Sequence, residues 1–164
     1  MENLELIFSE IFLSLSIMFL LILGVFKKDS SKLIQNLSLT VLFVTAVITF
    51  NETLGIKETT LFNESIIIDY LSSFMKIMTL LAAFFVLIIS SNYLRVFKIF
   101  IIEYPILILS SVLGMMIMIS SNDLIIFYMG LELQSLALYV LATFDRDNIK
   151  SSEAGLKYFV LSAL

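Results

Sequence analysis

Glu132 stands near the middle of an apolar run, LIIFYMGLELQSLALYVLATF, that covers residues 124–144. On a helix, Tyr128 lies one turn before it, Ser135 one turn after, and Tyr139 two turns after. A phenol, a carboxyl, a hydroxyl and a second phenol then share one face, while Leu, Ile and Phe fill most of the rest. That stripe has the chemistry of a proton or ion path. A transmembrane helix needs roughly 20 apolar residues, and a charge at its centre costs about 2.5–3.5 kcal/mol on the insertion scale. A carboxylate kept at that depth marks a functional site by default. The plain alternative is a protonated Glu132 that hydrogen-bonds a neighbouring helix and holds a bundle together.

The elements that position these groups must lie in lipid. The chain has 164 residues, 60% of them hydrophobic and 15% charged, with a mean hydropathy of +1.05. A soluble domain of this size has no interior large enough for so much apolar side chain. The net charge of −4 matters less than where the charges fall. With neither cysteine nor histidine, disulfides, thiolate chemistry, imidazole-ligated haem and the usual zinc sites are excluded. There is no P-loop, dinucleotide fingerprint or basic tract for nucleic acid. The N-terminus, MENLELIFSE, is acidic, and the apolar run after it exceeds a signal-peptide core, so it reads as a retained first span.

Five full spans and the start of a sixth follow, an all-α polytopic bundle. The expected spans are residues 7–25, 33–50, 70–91, 105–120 and 124–144. Within the polar connection 51–69, TTLF and SIII flank Asn63-Glu64 in the manner of a short hairpin. Pro105 suits a helix start, and Asn122 or Asp123 is placed to cap the fifth helix. Lys27, Lys28, Lys32, Arg95, Lys98, Arg146 and Lys150 all fall in alternate connections. The other side holds Lys57 against Glu2, Glu5, Glu10, Glu52, Glu58, Glu64, Asp69 and Asp123. The positive-inside rule then puts the N-terminus outside.

Three further charges sit within or beside spans. Lys76, about one turn into the third helix, reads as a lysine whose stem carries its ammonium to the interface. Glu103 reads as an interfacial charge before the fourth span. Lys157, in SSEAGLKYF, has two readings, snorkelling on an isolated helix or pairing with a buried carboxylate in a bundle. The expected sixth helix, residues 154–164, reaches only about 16 Å against a hydrocarbon core of about 30 Å. Its last carbonyls then need a partner, so a second polypeptide that continues or covers it is expected.

The stretches EYPILIL, SSNDL, GLELQSL and EAGLKYF, spread over residues 103–163, resemble NADH–quinone oxidoreductase subunit 2, also called subunit N. This is an antiporter-like subunit family of respiratory complex I. The resemblance implies a larger helical fold with two inverted five-helix repeats, each with a broken helix. It divides the chain into a three-helix segment, residues 1–102, and the beginning of the first repeat, residues 103–164. Glu132 matches the family's carboxylate in the fifth helix and Lys157 a lysine of the sixth, which implies proton translocation by this pair with Tyr128, Ser135 and Tyr139 in support.

The expectation is therefore the N-terminal part of a split subunit of proton-translocating NADH:ubiquinone oxidoreductase, a non-redox part of an enzyme. Quinone reduction elsewhere would drive a charge switch: the closed Glu–Lys pair keeps Glu132 ionised, and its opening favours proton uptake. The resemblance implies a complex that uses NADH, FMN, iron–sulfur clusters and ubiquinone, none held by this chain. Expected partners are a polypeptide with the rest of the subunit, other membrane-arm subunits and the bilayer. The expected location is the mitochondrial inner membrane, N-terminus in the intermembrane space, or the bacterial plasma membrane, N-terminus outside. A subunit of a multisubunit cation/proton antiporter and a non-pumping assembly subunit are the alternatives.

Overall fold

The computed structural model describes residues 6–26, 31–54, 59–62, 64–96, 102–144 and 148–163. Among them are six helices: α1 Phe8–Phe26, α2 Ser31–Leu54, α3 Tyr70–Val96, α4 Glu103–Ser120, α5 Leu124–Ala142 and α6 Ile149–Ala163. The first five are long and apolar enough to cross a membrane. Two strands, β1 Thr59–Leu61 and β2 Ile66–Ile68, form the antiparallel hairpin expected between α2 and α3. Glu2, Glu5, Lys27, Lys28, Lys57, Glu58, Asn63, Lys98, Arg146 and Leu164, named above, lie outside the described residues.

The chain is apolar on nearly every face, so neighbour choice rests on packing and polar contacts rather than on amphipathic stripes. Helices α1 to α4 close into a ring, α1 on α2, α2 on α3, α3 on α4 and α4 back on α1. Leu13, Ile17 and Leu20 of α1 meet Ile34 and Leu42 of α2, Leu80 and Leu87 of α3, and Leu109, Val112 and Met116 of α4 in one buried cluster. Hydroxyls inside this apolar ring are satisfied locally. Ser38, Thr45 and Thr49 donate to the carbonyls of Gln35, Val41 and Thr45 on their own helix. Gln35 Nε2 reaches across to Leu87 O of α3 at 3.2 Å.

Helix α5 packs along α4, and α6 along α5. The α4–α5 crossing depends on two glycines. A Cβ at Gly114 would stand 2.7 Å from Gly130 O, and one at Gly130 would stand 2.9 Å from Gly114 O. Only hydrogen at both positions lets the two backbones touch.

The hairpin ties the ends of these helices together. Phe62 and Glu64 take positive φ at its turn, and Ser65 N–H bonds Phe62 O. Asn122, in the α4–α5 turn, then donates its backbone N–H to Ser65 O and its side chain to Glu64 O. Asp123 caps α5 through Ile125 N–H, which settles the choice between Asn122 and Asp123. Asp69 and Ser72 form a reciprocal capping box at the start of α3. Helix α6 begins at Ile149 rather than residue 154, started by Asn148 bonding Lys150 N–H. Helix α2 runs past the expected residue 50 to Leu54, its last turn held by a contact between Glu52 and α1.

Candidate functional site

The Glu132 helix lies outside the ring. Glu132 is half-buried in the middle of α5, two residues past Gly130 of the glycine crossing. Its stripe does not form one continuous chain of side-chain hydrogen bonds. Tyr128 is 61% exposed. Ser135 Oγ donates to the main-chain carbonyl of Glu132 at 3.0 Å, which satisfies the hydroxyl without engaging the carboxyl. Tyr139 is buried and turns toward α6, where its hydroxyl bonds Ser162 Oγ. Its ring stands edge-to-face with Tyr158 and Phe159, centroids 4.8 and 5.6 Å away.

Lys157 and Glu132 are not joined in the structure. Lys157 Nζ pairs with Glu153 Oε1 at 2.6 Å, one turn back on α6, with the two side chains 67% and 59% exposed. An exposed pair of that spacing is worth about 0.3–0.5 kcal/mol in water. A cavity of about 310 Å³ opens between α5 and α6, lined by Tyr139, Thr143, Ser152 and Gly155 among others. The carboxylate and the lysine of the resemblance thus occupy neighbouring helices, α5 and α6.

The buried charges lie elsewhere. Lys76 is 2% exposed, and its Nζ stands 2.5 Å from Glu10 Oε1 of α1. It does not snorkel: the ring closes over it, and a counter-charge from another helix compensates its ammonium in place. Ser9, fully buried beside Glu10, places its Oγ 2.8 Å from Glu10 Oε2 and 3.0 Å from Glu52 Oε2 of α2. Its backbone N–H also donates to Glu52 Oε1 at 3.1 Å. The first three helices are thus cross-linked by one polar cluster at the hairpin end. Sequence reasoning missed the partnership because it counted Glu10 and Glu52 as flanking charges. The available signal was two acids and a lysine near the same ends of successive antiparallel helices.

With this geometry in view, the likeness to known proteins can be set beside it. Over all 164 residues the chain is 64% identical to NADH-quinone oxidoreductase subunit N of Pelagibacter ubique (strain HTCC1062) and covers 35% of that protein. The chain is similar to subunit N along its whole length. Subunit N of Bartonella bacilliformis is 49% identical over 163 residues, 99% of this chain and 33% of the relative. The chain therefore spans about a third of the length of the subunit N relatives it matches. A family model described as NADH:quinone oxidoreductase/Mrp antiporter, TM, matches residues 121–164, the stretch that holds both Glu132 and Lys157. The fold matches a chain of respiratory complex I from Thermus thermophilus with bound aureothin, TM-score 0.76 at 24% identity, over 94% of this chain and 33% of that one. This is a multi-pass, all-α membrane protein whose fold matches part of an antiporter-like subunit.

Proposed function

We propose that this chain is the N-terminal part of a proton-translocating membrane-arm subunit of NADH:quinone oxidoreductase, with Glu132 and Lys157 as its proton-handling groups. The observation that carries the reading is a carboxylate half-buried at mid-span in α5, within the stretch matched by the antiporter family model. Residues 103–164 then begin the first antiporter-like repeat, and residues 1–102 form the three-helix segment that α4 closes. The chain takes part in an enzyme without a redox centre of its own, consistent with a sequence free of cysteine and histidine. NADH, FMN, iron–sulfur clusters and ubiquinone belong to the surrounding complex.

In this reading Lys157 exchanges Glu153 for Glu132 when neighbouring helices cover α5 and α6. Closing the Glu132–Lys157 pair holds the carboxylate charged, and opening it in a desolvated site favours proton uptake. The helices that cover this face come from sequence equivalent to the rest of subunit N, as a continuation or as a second polypeptide. Tyr128 and Tyr139, on either side of Glu132, line the route. The membrane in this reading is a bacterial plasma membrane, with the hairpin side outside by the loop-charge argument.

The cation/proton antiporter reading shares the same family model, but relatives named subunit N match over the whole chain and favour the oxidoreductase. A tagged chain purified from its own membranes tests the assignment. Stoichiometric recovery of quinone-reducing subunits is expected. Recovery with antiporter subunits alone, or with no membrane partner, overturns it.

A further inference from the structure

The Ser9 hydroxyl has one proton, yet its oxygen stands within hydrogen-bonding distance of two carboxyl oxygens, Glu10 Oε2 at 2.8 Å and Glu52 Oε2 at 3.0 Å. A hydroxyl donates one hydrogen bond, and an ionised carboxylate only accepts. With both acids ionised, one of these contacts would bring lone pairs together with no proton between them. Both become hydrogen bonds when one carboxyl keeps a proton and donates it to Ser9 Oγ. The ammonium of Lys76 sits on Glu10 Oε1 at 2.5 Å, so the negative charge belongs on Glu10 and the proton on Glu52. The buried cluster is then neutral, which the low-dielectric interior requires of charges taken out of water.

We propose that Ser9, Glu10, Glu52 and Lys76 form a proton-binding relay at the hairpin end of α1–α3, in which one proton is shared between Glu52 and Glu10 through the Ser9 hydroxyl. The transfer conserves atoms and charge. The O–H bond of Glu52 Oε2 breaks as its proton passes to Ser9 Oγ, and the original Ser9 proton passes to Glu10 Oε2. Serine is regenerated, Glu52 becomes the carboxylate, Glu10 becomes neutral, and Lys76 holds the pair in register.

The surroundings give the relay two ends. Glu52 is half-buried near the end of α2, whereas Glu10 is 8% exposed. Beyond Glu10 lies a cavity of about 210 Å³ between α1, α4 and β2, lined by Ile7, Ile11, Ser14, Ile66 and Ser120, with Glu10 as its one charged lining residue. Among the described residues, no other titratable group of the packed elements faces the cluster. Helix α4 carries Glu103 and Tyr104 in its first turn at the opposite end, β2 carries none, and Asp69 is engaged in capping α3. This site lies apart from Glu132 and does not depend on membership of the oxidoreductase.

Infrared difference spectroscopy on the membrane assembly containing this chain tests the relay. The native protein at neutral pH should show the carbonyl stretch of a protonated carboxylic acid, shifted by exchange into D2O. That band should be lost in Glu52→Gln, displaced in Ser9→Ala, and unchanged in a Glu64→Gln control at the exposed hairpin turn. Should Glu52→Gln fail to assemble, the Ser9→Ala displacement carries the test, because it removes only the bridging hydroxyl. A band unaltered by Ser9→Ala would show that no proton is shared through Ser9, and one equal in Glu52→Gln and native protein would show that Glu52 holds none; either would overturn the proposal. Which subunits co-purify is a separate readout, so failure of the family-level function and failure of the relay are told apart.

Discussion

Two lysine–carboxylate combinations, Lys76 with Glu10 and Lys157 with Glu132, are treated by the structure in opposite ways. At the hairpin end, Glu10 and Lys76 come from different helices, meet at 2.5 Å and are sealed inside the ring. On α5 and α6, Glu132 and Lys157 stay apart, and the lysine turns to a neighbour on its own helix. The first pair is completed by the helices present here. The second sits on helices that pack chiefly in sequence, α4 to α5 to α6. A charge in an apolar protein is stable where a second element supplies its partner, whatever its nominal depth.

Breaking the sealed pair should have the largest effect. Glu10→Gln or Lys76→Met leaves one buried charge uncompensated, at a cost of about 3–5 kcal/mol. Either variant should lower the denaturation midpoint in detergent and the yield of assembled protein, and the Glu10→Gln/Lys76→Met double variant should recover part of the loss. Equal and additive losses would show that the pair is not coupled. Next comes the glycine crossing that sets α5 against α4. Gly130→Ala forces a methyl against the backbone of α4 and should cost about 1–3 kcal/mol, with Gly130→Leu worse. Native stability in Gly130→Leu would mean that the helices do not cross there.

Smaller effects sharpen the α5–α6 side. Tyr139→Phe removes the bond to Ser162 but keeps the packing on Tyr158 and Phe159, so a loss of about 0.5–1.5 kcal/mol is expected in the same melts. Lys157→Met should change stability by at most about 0.5 kcal/mol, because its pair with Glu153 is exposed. It should nevertheless reduce coupled proton transfer if Lys157 serves Glu132 in the assembly. A Glu132→Gln/Lys157→Met variant should then be less impaired than the two losses added, and strict additivity in the same vesicles would mean that the residues do not communicate.

Much of the fold was legible in local chemistry. The apolar runs marked five spans, and TTLF and SIII around Asn63-Glu64 marked the hairpin. The Asn122-Asp123 pair marked the start of α5. What escaped was long-range. Glu10 and Lys76 are 66 positions apart, and nothing in either one's surroundings names the other. An isolated α3 would let Lys76 snorkel to the interface, whereas the closed ring does not. Helical spacing puts Tyr128, Ser135 and Tyr139 on the side of Glu132, but spacing could not show that Ser135 spends its hydroxyl on a main-chain carbonyl or that Tyr139 turns to α6. Helix period fixes which residues share a face, while packing decides what that face meets.

The central functional claim is that the Glu132 carboxyl carries protons, and Glu132→Gln tests it most directly. Gln keeps the shape and the hydrogen-bonding capacity while removing the titratable group. The measurement is the number of protons moved per quinone reduced in sealed vesicles, with assembly checked in the same preparation. The account predicts an assembled complex with a sharp fall in that ratio and partial recovery in Glu132→Asp. An assembled Glu132→Gln complex that pumps at the native ratio would contradict it.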